Sequence, residues 1–210
     1  TGRNLVTGLE ADGESVDLRQ SVATEGTVET WMSKVEQEMK ATLRSVMKET
    51  VYHKPKMTMM QWIEAFPAMC ILTGTQVWWT FDVEDTFTLI AQGNKHALKQ
   101  MSARQHDRMK GLIEAVRGDL TPRQRQILNT LIIVGIHQRD VVDIFVRDSI
   151  LATDEFGWQS QLRFYWDQQL DDLQVRQSGG AFGYGYEYLG LSGRLVVTPL
   201  TVRCIITLTQ

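Results

Sequence analysis

The chain has 210 residues, 43% of them hydrophobic and 22% charged, enough for one or two domains with a buried core. Its 22 basic and 25 acidic residues leave a net charge of −3 with no basic stripe, so no nucleic-acid partner is expected. No apolar run reaches the roughly 18 residues of a membrane span, so no membrane is expected either.

Two cysteines, Cys70 and Cys204, lie far apart without CxxC spacing. That excludes a disulfide framework or zinc ribbon and predicts two reduced, packed thiols in an intracellular protein. Thr1-Gly2-Arg3-Asn4 carries no initiator Met or signal pattern, and Thr207 to Gln210 falls inside an expected helix. Both ends read as cut from something longer.

Residues 1–26 are polar and Gly-dotted. They read as loop, with a short strand at Ser15-Val16-Asp17-Leu18. From Thr27, an N-cap, the residues Val28, Trp31, Val35, Met39, Leu43 and Val46 recur at helical spacing. Lys54-Pro55-Lys56 ends that helix, because Pro lacks the amide donor and restrains its predecessor. Thr58-Met59-Met60-Gln61 is a capping box opening a short helix through Trp62 and Phe66. Pro67 starts another, carrying Met69, Leu72, Gln76 and Trp79. A further helical stretch runs from Val83, clearest between Asn94 and Val116.

Gly118-Asp119-Leu120-Thr121-Pro122 is the strongest punctuation in the chain. Thr121 caps, Pro122 takes the first helical position and Gln124 closes the box. The helix passes Leu128, Leu131 and Ile132, weakens at Gly135 and His137, and resumes to Arg147. Bulky residues then crowd together from Phe156 to Trp166 and are expected in a core. Gln174–Gln177 and Ala181–Tyr188, joined at Gly179-Gly180, read as a β-hairpin. Arg194–Val197 reads as a third short strand, after which Thr198-Pro199 opens a last helix.

Four stretches, taken together, carry a family resemblance. They are Trp158-Gln159-Ser160-Gln161-Leu162-Arg163-Phe164-Tyr165-Trp166, Phe182-Gly183-Tyr184-Gly185-Tyr186-Glu187-Tyr188-Leu189-Gly190, Arg194-Leu195-Val196-Val197-Thr198-Pro199-Leu200-Thr201 and, more weakly, His137-Gln138-Arg139-Asp140-Val141-Val142. In this order they resemble the heavy chains of dynein, where the helical linker meets the first AAA+ ATPase module. Phe164-Tyr165-Trp166 and Gly185-Tyr186-Glu187-Tyr188 resemble axonemal types. The chain departs from that pattern at Val202, where Asp is common, at Ile205, where an aromatic is common, and at Leu191, where Asn is common.

The resemblance implies a mainly α fold: a helical bundle or irregular solenoid of the linker, then a small β-hairpin and the strand-helix start of an α/β AAA+ module. It divides the chain at 1–26 (loop and short strands), 27–172 (helical linker), 173–195 (hairpin junction) and 196–210 (start of the module). It implies an ATP-driven, microtubule-based motor of a ciliary or flagellar axoneme, in which this part is lever and junction. The implied partners are the rest of its own heavy chain, with microtubules and other dynein chains engaged through parts outside this segment. The implied cofactor is ATP or ADP with Mg.

The chain itself has no Gly-x-x-x-x-Gly-Lys-Ser/Thr phosphate loop. Gly185 to Gly190 has the glycine spacing, but Leu191 stands where Lys is needed, so those glycines are read as structural. Walker B and arginine-finger parts are absent too, so no catalytic residue and no ATPase activity of the segment alone are expected. The resemblance puts the phosphate loop about twenty residues past Gln210, at a strand-to-helix turn. From residues alone, Thr198-Pro199 is a plain helix start. The resemblance implies adenine contact by Val197, Leu200 and Thr201, with Pro199 fixing the turn.

The remaining polar residues suggest no chemistry. His137 and Asp140 lack the further ligands a metal needs, and His53, His96 and His106 are scattered. Arg139 and Asp140 read as a surface ion pair, and Glu187 points away from Tyr186 and Tyr188 if the segment is a strand. Two other classes remain: a helical adaptor that binds proteins without nucleotide, and a small self-contained enzyme, for which no catalytic set is found. The junction is expected in the hairpin 173–188, with its tyrosines and Gly179, Gly180, Gly183 and Gly185.

Overall fold

In the computed structural model, which describes residues 5–191 and 196–209, helices dominate and two small antiparallel sheets flank them in sequence. The chain divides into two compact units. One comprises residues up to Gly74 and a return segment from Tyr184. The other runs from Thr75 to Gly183 and takes up the last residues.

The first unit begins with a hairpin where loop was expected. β1 (Leu5–Ala11) pairs with β2 (Glu14–Ala23), with Ala11 opposite Glu14. Asp12 (φ 52°) and Gly13 (φ 76°) form the two-residue turn, a geometry that Asp-Gly adopts at little cost. Glu14, Val16 and Leu18 alternate inward, so Ser15–Leu18 is strand as expected.

α1 (Val28–His53) starts at Thr27 as the sequence predicts and packs on β2. Two side chains of α1 satisfy that strand: Thr42 Oγ1 accepts from Arg19 N–H (3.2 Å) and Glu38 Oε1 from Gln20 N–H (3.0 Å). Burial concentrates in its second half, at Thr42, Leu43, Met47 and Thr50. After a 3₁₀ turn at Lys54–Lys56, Thr58 and Gln61 make the expected capping box of α2 (Met59–Ala65). Trp62 donates from Nε1 to the Thr50 carbonyl at 2.9 Å. A Cβ on Gly74 would lie 3.2 Å from the Trp62 ring, so that glycine lets α3 approach closely.

α3 (Ala68–Ala91) is one continuous helix, and α4 (Ala97–Val116) is separate. The helical stretch expected from Val83 therefore breaks after Ala91. Gly93, left-handed at φ 103°, turns the chain, and its N–H bonds the Ile90 carbonyl while Asn94 N–H bonds Leu89. α5 (Pro122–Asp148) has the expected Thr121/Gln124 box but no interruption at Gly135. That glycine is a crossing point: a Cβ there would meet Met109 Sδ of α4 at 2.7 Å. Ser149, left-handed, ends α5.

In the second unit, a short α6 (Phe156–Gln159) brings Trp158 into the core. Trp158 is fully buried, with ring centroids 5.5 Å from Trp79, 6.0 Å from Phe87 and 6.1 Å from Phe145. The expected aromatic core is thus present at Trp158 and Phe164, whereas Phe156 is 68% exposed. A three-stranded sheet follows: β3 (Arg163–Asp167), β4 (Asp172–Gln177) and β5 (Gly180–Gly183), paired in that order.

β3 was not anticipated, because its aromatics mask the alternation of a strand. β5 ends at Gly183, five residues before the strand expected to reach Tyr188, and Tyr186 stands in the left-handed region at φ 50°. Of the expected third strand, Arg194 and Leu195 lie outside the described residues, and Val196 and Val197 belong to no strand. α7 (Pro199–Thr209) closes the chain. Among the described residues no helix is long and apolar enough to cross a membrane, and no cluster of His, Cys, Asp and Glu has the makings of a metal site.

Candidate functional site

The start of α7 is built as the Thr-Pro pattern dictates. Thr198 Oγ1 accepts from Thr201 N–H at 3.3 Å, and Thr201 Oγ1 from Thr198 N–H at 3.4 Å, a reciprocal cap. The Thr201 hydroxyl, one of the four residues singled out from sequence, is therefore engaged by the cap itself. Pro199 is exposed at the first helical position, and Leu200 is 70% exposed. Val197 turns the other way.

Val197 lines a partly open hollow in the second unit together with Val202 and Ile205 of α7. Across it stand Gln76 and Trp79 of α3 and Val134, His137 and Gln138 of α5. Burial pushes the His137 imidazole below its ordinary pKa, with Asp140 opposing, which favours the uncharged ring. Gln138 is 2% exposed, and neither its Nε2 nor its Oε1 has a protein partner. Trp79 Nε1 is likewise unpaired. Neither Trp79 nor Gln138 was singled out from sequence as a pocket residue, since a buried glutamine inside a helical repeat carries no local signal.

The far end of α7 is held as well. Thr209 donates to Gln177 Oε1 at 3.0 Å, while Gln177 Nε2 donates to the Ser160 carbonyl at 2.9 Å. Gly180 lies so close that a Cβ would be 2.7 Å from the Thr209 carbonyl. One face of α7 thus packs inward through Val202, Ile205 and Ile206. Leu200, Cys204 and Leu208, four residues apart, form an exposed row. Cys204 is accordingly exposed, contrary to the expected packed thiol. Cys70 is buried as expected, and burial, reinforced by Glu14, pushes its thiol up to about 12.

The segment from Tyr184 to Leu191 belongs to the first unit. Tyr184 Oη is 3.2 Å from Thr73 Oγ1, and its ring meets Tyr186 edge-on at 5.1 Å. Tyr188 donates to the Glu14 carbonyl at 3.0 Å and approaches Glu14 Oε2 at 3.4 Å. The same Glu14 carboxylate accepts the Ala68 N–H at 3.0 and 3.1 Å, capping α3 where helix amides favour negative charge. Sequence reasoning missed Glu14, although Asp12-Gly13 just before it was a readable turn. Glu187 is exposed, and Arg139 and Asp140 pair at the surface at 2.6 Å as expected.

Residues 184–210, which take in both this segment and α7, match the family model "Hydrolytic ATP binding site of dynein motor region". Over its whole length the chain is 43% identical to human dynein axonemal heavy chain 10, of which it covers 5%. Over 99% of its length it is 46% identical to the dynein-1-alpha heavy chain of the flagellar inner arm I1 complex of Chlamydomonas reinhardtii, covering 4% of that protein. Over 96% of its length it is 40% identical to human dynein axonemal heavy chain 2, covering 5%. The chain spans about one twentieth of the length of these relatives. With identities of this order across its full length, the chain is a homologue of one segment of the axonemal dynein heavy chains.

Proposed function

We propose that this chain is the part of an ATP-driven ciliary or flagellar motor that joins a helical lever to the first ATPase module. The single observation that carries this reading is the match of residues 184–210 to a hydrolytic ATP-binding region, in a chain otherwise similar to axonemal heavy chains throughout. In this reading 1–26 and 27–172 belong to the lever, 173–195 to the junction and 196–210 to the opening of the module. The motor works in the axoneme. It engages microtubules and other dynein chains through parts outside this segment, and uses ATP with Mg.

Val197, Pro199, Leu200 and Thr201 are the proposed adenine contacts. A purine needs apolar surface on its faces and a backbone group on its edge. The exposed Leu200 side chain beside a proline-fixed turn supports this role, as does Val197 at the rim of a hollow. Thr201 then acts through the cap that holds the turn rather than through a free hydroxyl.

The test has two arms. Residues 1–210 with Mg-ATP should give no turnover, and the parent heavy chain should hydrolyse ATP. In the parent, Leu200→Ala should raise KM for ATP several-fold with little change in kcat, the signature of lost ground-state binding. An unchanged KM would remove Leu200 from the nucleotide site. A parent chain without ATP turnover would remove the motor reading altogether.

A further inference from the structure

The hollow beside α7 has an inner wall of its own chemistry. All the residues that line it belong to the second unit, and its volume is about 90 Å³. Four glutamines, Gln76, Gln138, Gln161 and Gln177, form its polar wall with Ser160 and His137. No Lys, Arg, Asp or Glu stands among the lining residues, and burial favours the uncharged form of His137. Such a lining holds no countercharge for a phosphate or a metal ion. It does hold amide, hydroxyl and ring groups that donate and accept hydrogen bonds.

Two lining residues are left wanting. Gln138 is 2% exposed and Trp79 3% exposed. Among the described residues, Gln138 Nε2, Gln138 Oε1 and Trp79 Nε1 all lack a hydrogen-bond partner. Gln177 shows the contrast, with Nε2 donating to the Ser160 carbonyl at 2.9 Å and Oε1 accepting from Thr209 at 3.0 Å. A closed amide without partners loses its hydration and gains nothing in return. Buried polar groups in native proteins are almost all paired, either with protein or with ordered water. Both unpaired residues stand in the wall of a polar hollow with room for a few waters, at roughly 30 Å³ of liquid each.

We infer that the hollow is an internal-water site. Ordered water accepts from Trp79 Nε1 and both donates to and accepts from the Gln138 amide. It thereby bridges α3 and α5 to the polar groups across the hollow. The Gln138 amide, carried on a flexible side chain, turns onto its water within the wall it already lines. The ligand is uncharged and donates and accepts at once, which an indole N–H and an amide need together. The site is distinct from the nucleotide contacts proposed at Val197 and Leu200, and it does not depend on the motor reading.

A density map of the parent heavy chain, fine enough to place waters, tests this. Ordered peaks should lie about 2.7–3.2 Å from Trp79 Nε1 and from the Gln138 amide. With nucleotide bound, the base should lie outside the hollow. A hollow with no such peaks, or one filled by a side chain or by the base, overturns the inference. Gln138→Met, which keeps the length and removes both polar atoms, gives a second reading through hydrogen exchange of a peptide covering 131–145 in α5. If water satisfies the amide, the variant should exchange about fivefold faster, the worth of one hydrogen bond. Unchanged or slower exchange overturns the site, because removing a dry, unpaired amide sacrifices no bond. Should the variant fail to fold, the map of the unaltered chain still decides. ATP turnover of the same preparation reports on the motor reading separately, and its failure leaves the water peaks to be judged on their own.

Discussion

The chain has two aromatic clusters, and they are built differently. Around Trp158 in the second unit, Trp79, Phe87 and Phe145 pack tilted or edge-on in an apolar core, with Trp158 Nε1 donating to Glu84 Oε1 at 3.2 Å at its margin. Around Tyr186 in the first unit, Tyr184 and Tyr188 each carry a hydroxyl to a polar partner. The Trp158 cluster is stabilised by area taken from water, which is lost only by unfolding. The tyrosine cluster is stabilised partly by bonds that water can replace, on a backbone under strain at Tyr186. Aromatic content alone does not separate a ring-on-ring core from a cluster tied by hydroxyl bonds; the polar partners and the backbone conformation do.

Substitutions can break that comparison, beginning where the effect should be greatest. Trp158→Ala should destabilise the second unit by about 3–5 kcal/mol, because its surroundings are rings that cannot collapse into the space. Chemical denaturation followed by near-ultraviolet circular dichroism would measure it, and a loss below about 1 kcal/mol would mean the cluster is not the keystone of that unit. Gly190→Ala should cost about 2 kcal/mol in the packing of residues 184–191, since alanine resists the left-handed conformation and would press on Ala11. Exchange rates of 184–191 amides should rise while those of the α5 amides hold, which is how a local loss differs from a global one.

The smallest effects concern the thiols. Under native conditions a thiol reagent should label Cys204 readily and Cys70 only on unfolding. The Cys70 shift also fixes a pH dependence. The unfolded chain loses that proton near the ordinary value of 9.0, and the folded chain holds it to about 12. The folded state therefore binds more protons between those values, and stability falls as pH rises through that window. Cys70→Ala should flatten that alkaline fall. An unchanged pH profile would show that the thiol is not what titrates.

Much of the fold was legible in particular residues. The boxes at Thr58 and Thr121 and the cap at Thr198 formed where the spacing placed them, because a cap is satisfied within four residues and needs no distant partner. The long helix from Thr27 is likewise a local pattern. The opening hairpin is not legible as a whole, because the Asp12-Gly13 turn stands among polar residues and β1 lies mostly at the surface. β3 was missed because Phe164, Tyr165 and Trp166 hide a strand's alternation. The break expected near Gly135 did not occur, since that glycine serves contact with Met109 rather than local flexibility.

For the candidate site, the position of the turn at Thr198-Pro199 was readable, but the direction of each side chain was not. Whether Val197 faces a hollow while Leu200 faces water depends on Gln76 and Trp79 of α3 and on Val134, His137 and Gln138 of α5, all distant in sequence.

By itself, then, the sequence determined where the capped helices begin and the family resemblance. Each of these rests on contacts a few residues apart or on side-chain order along the chain. Tertiary structure alone decided that Glu14 meets Tyr188 across 174 positions, that Gln138 lies buried beside Trp79, and that Tyr186 takes a left-handed backbone. Those outcomes depend on which surfaces meet when distant segments pack. No periodicity records that, because the free energy favouring them comes from partners the local chain does not contain.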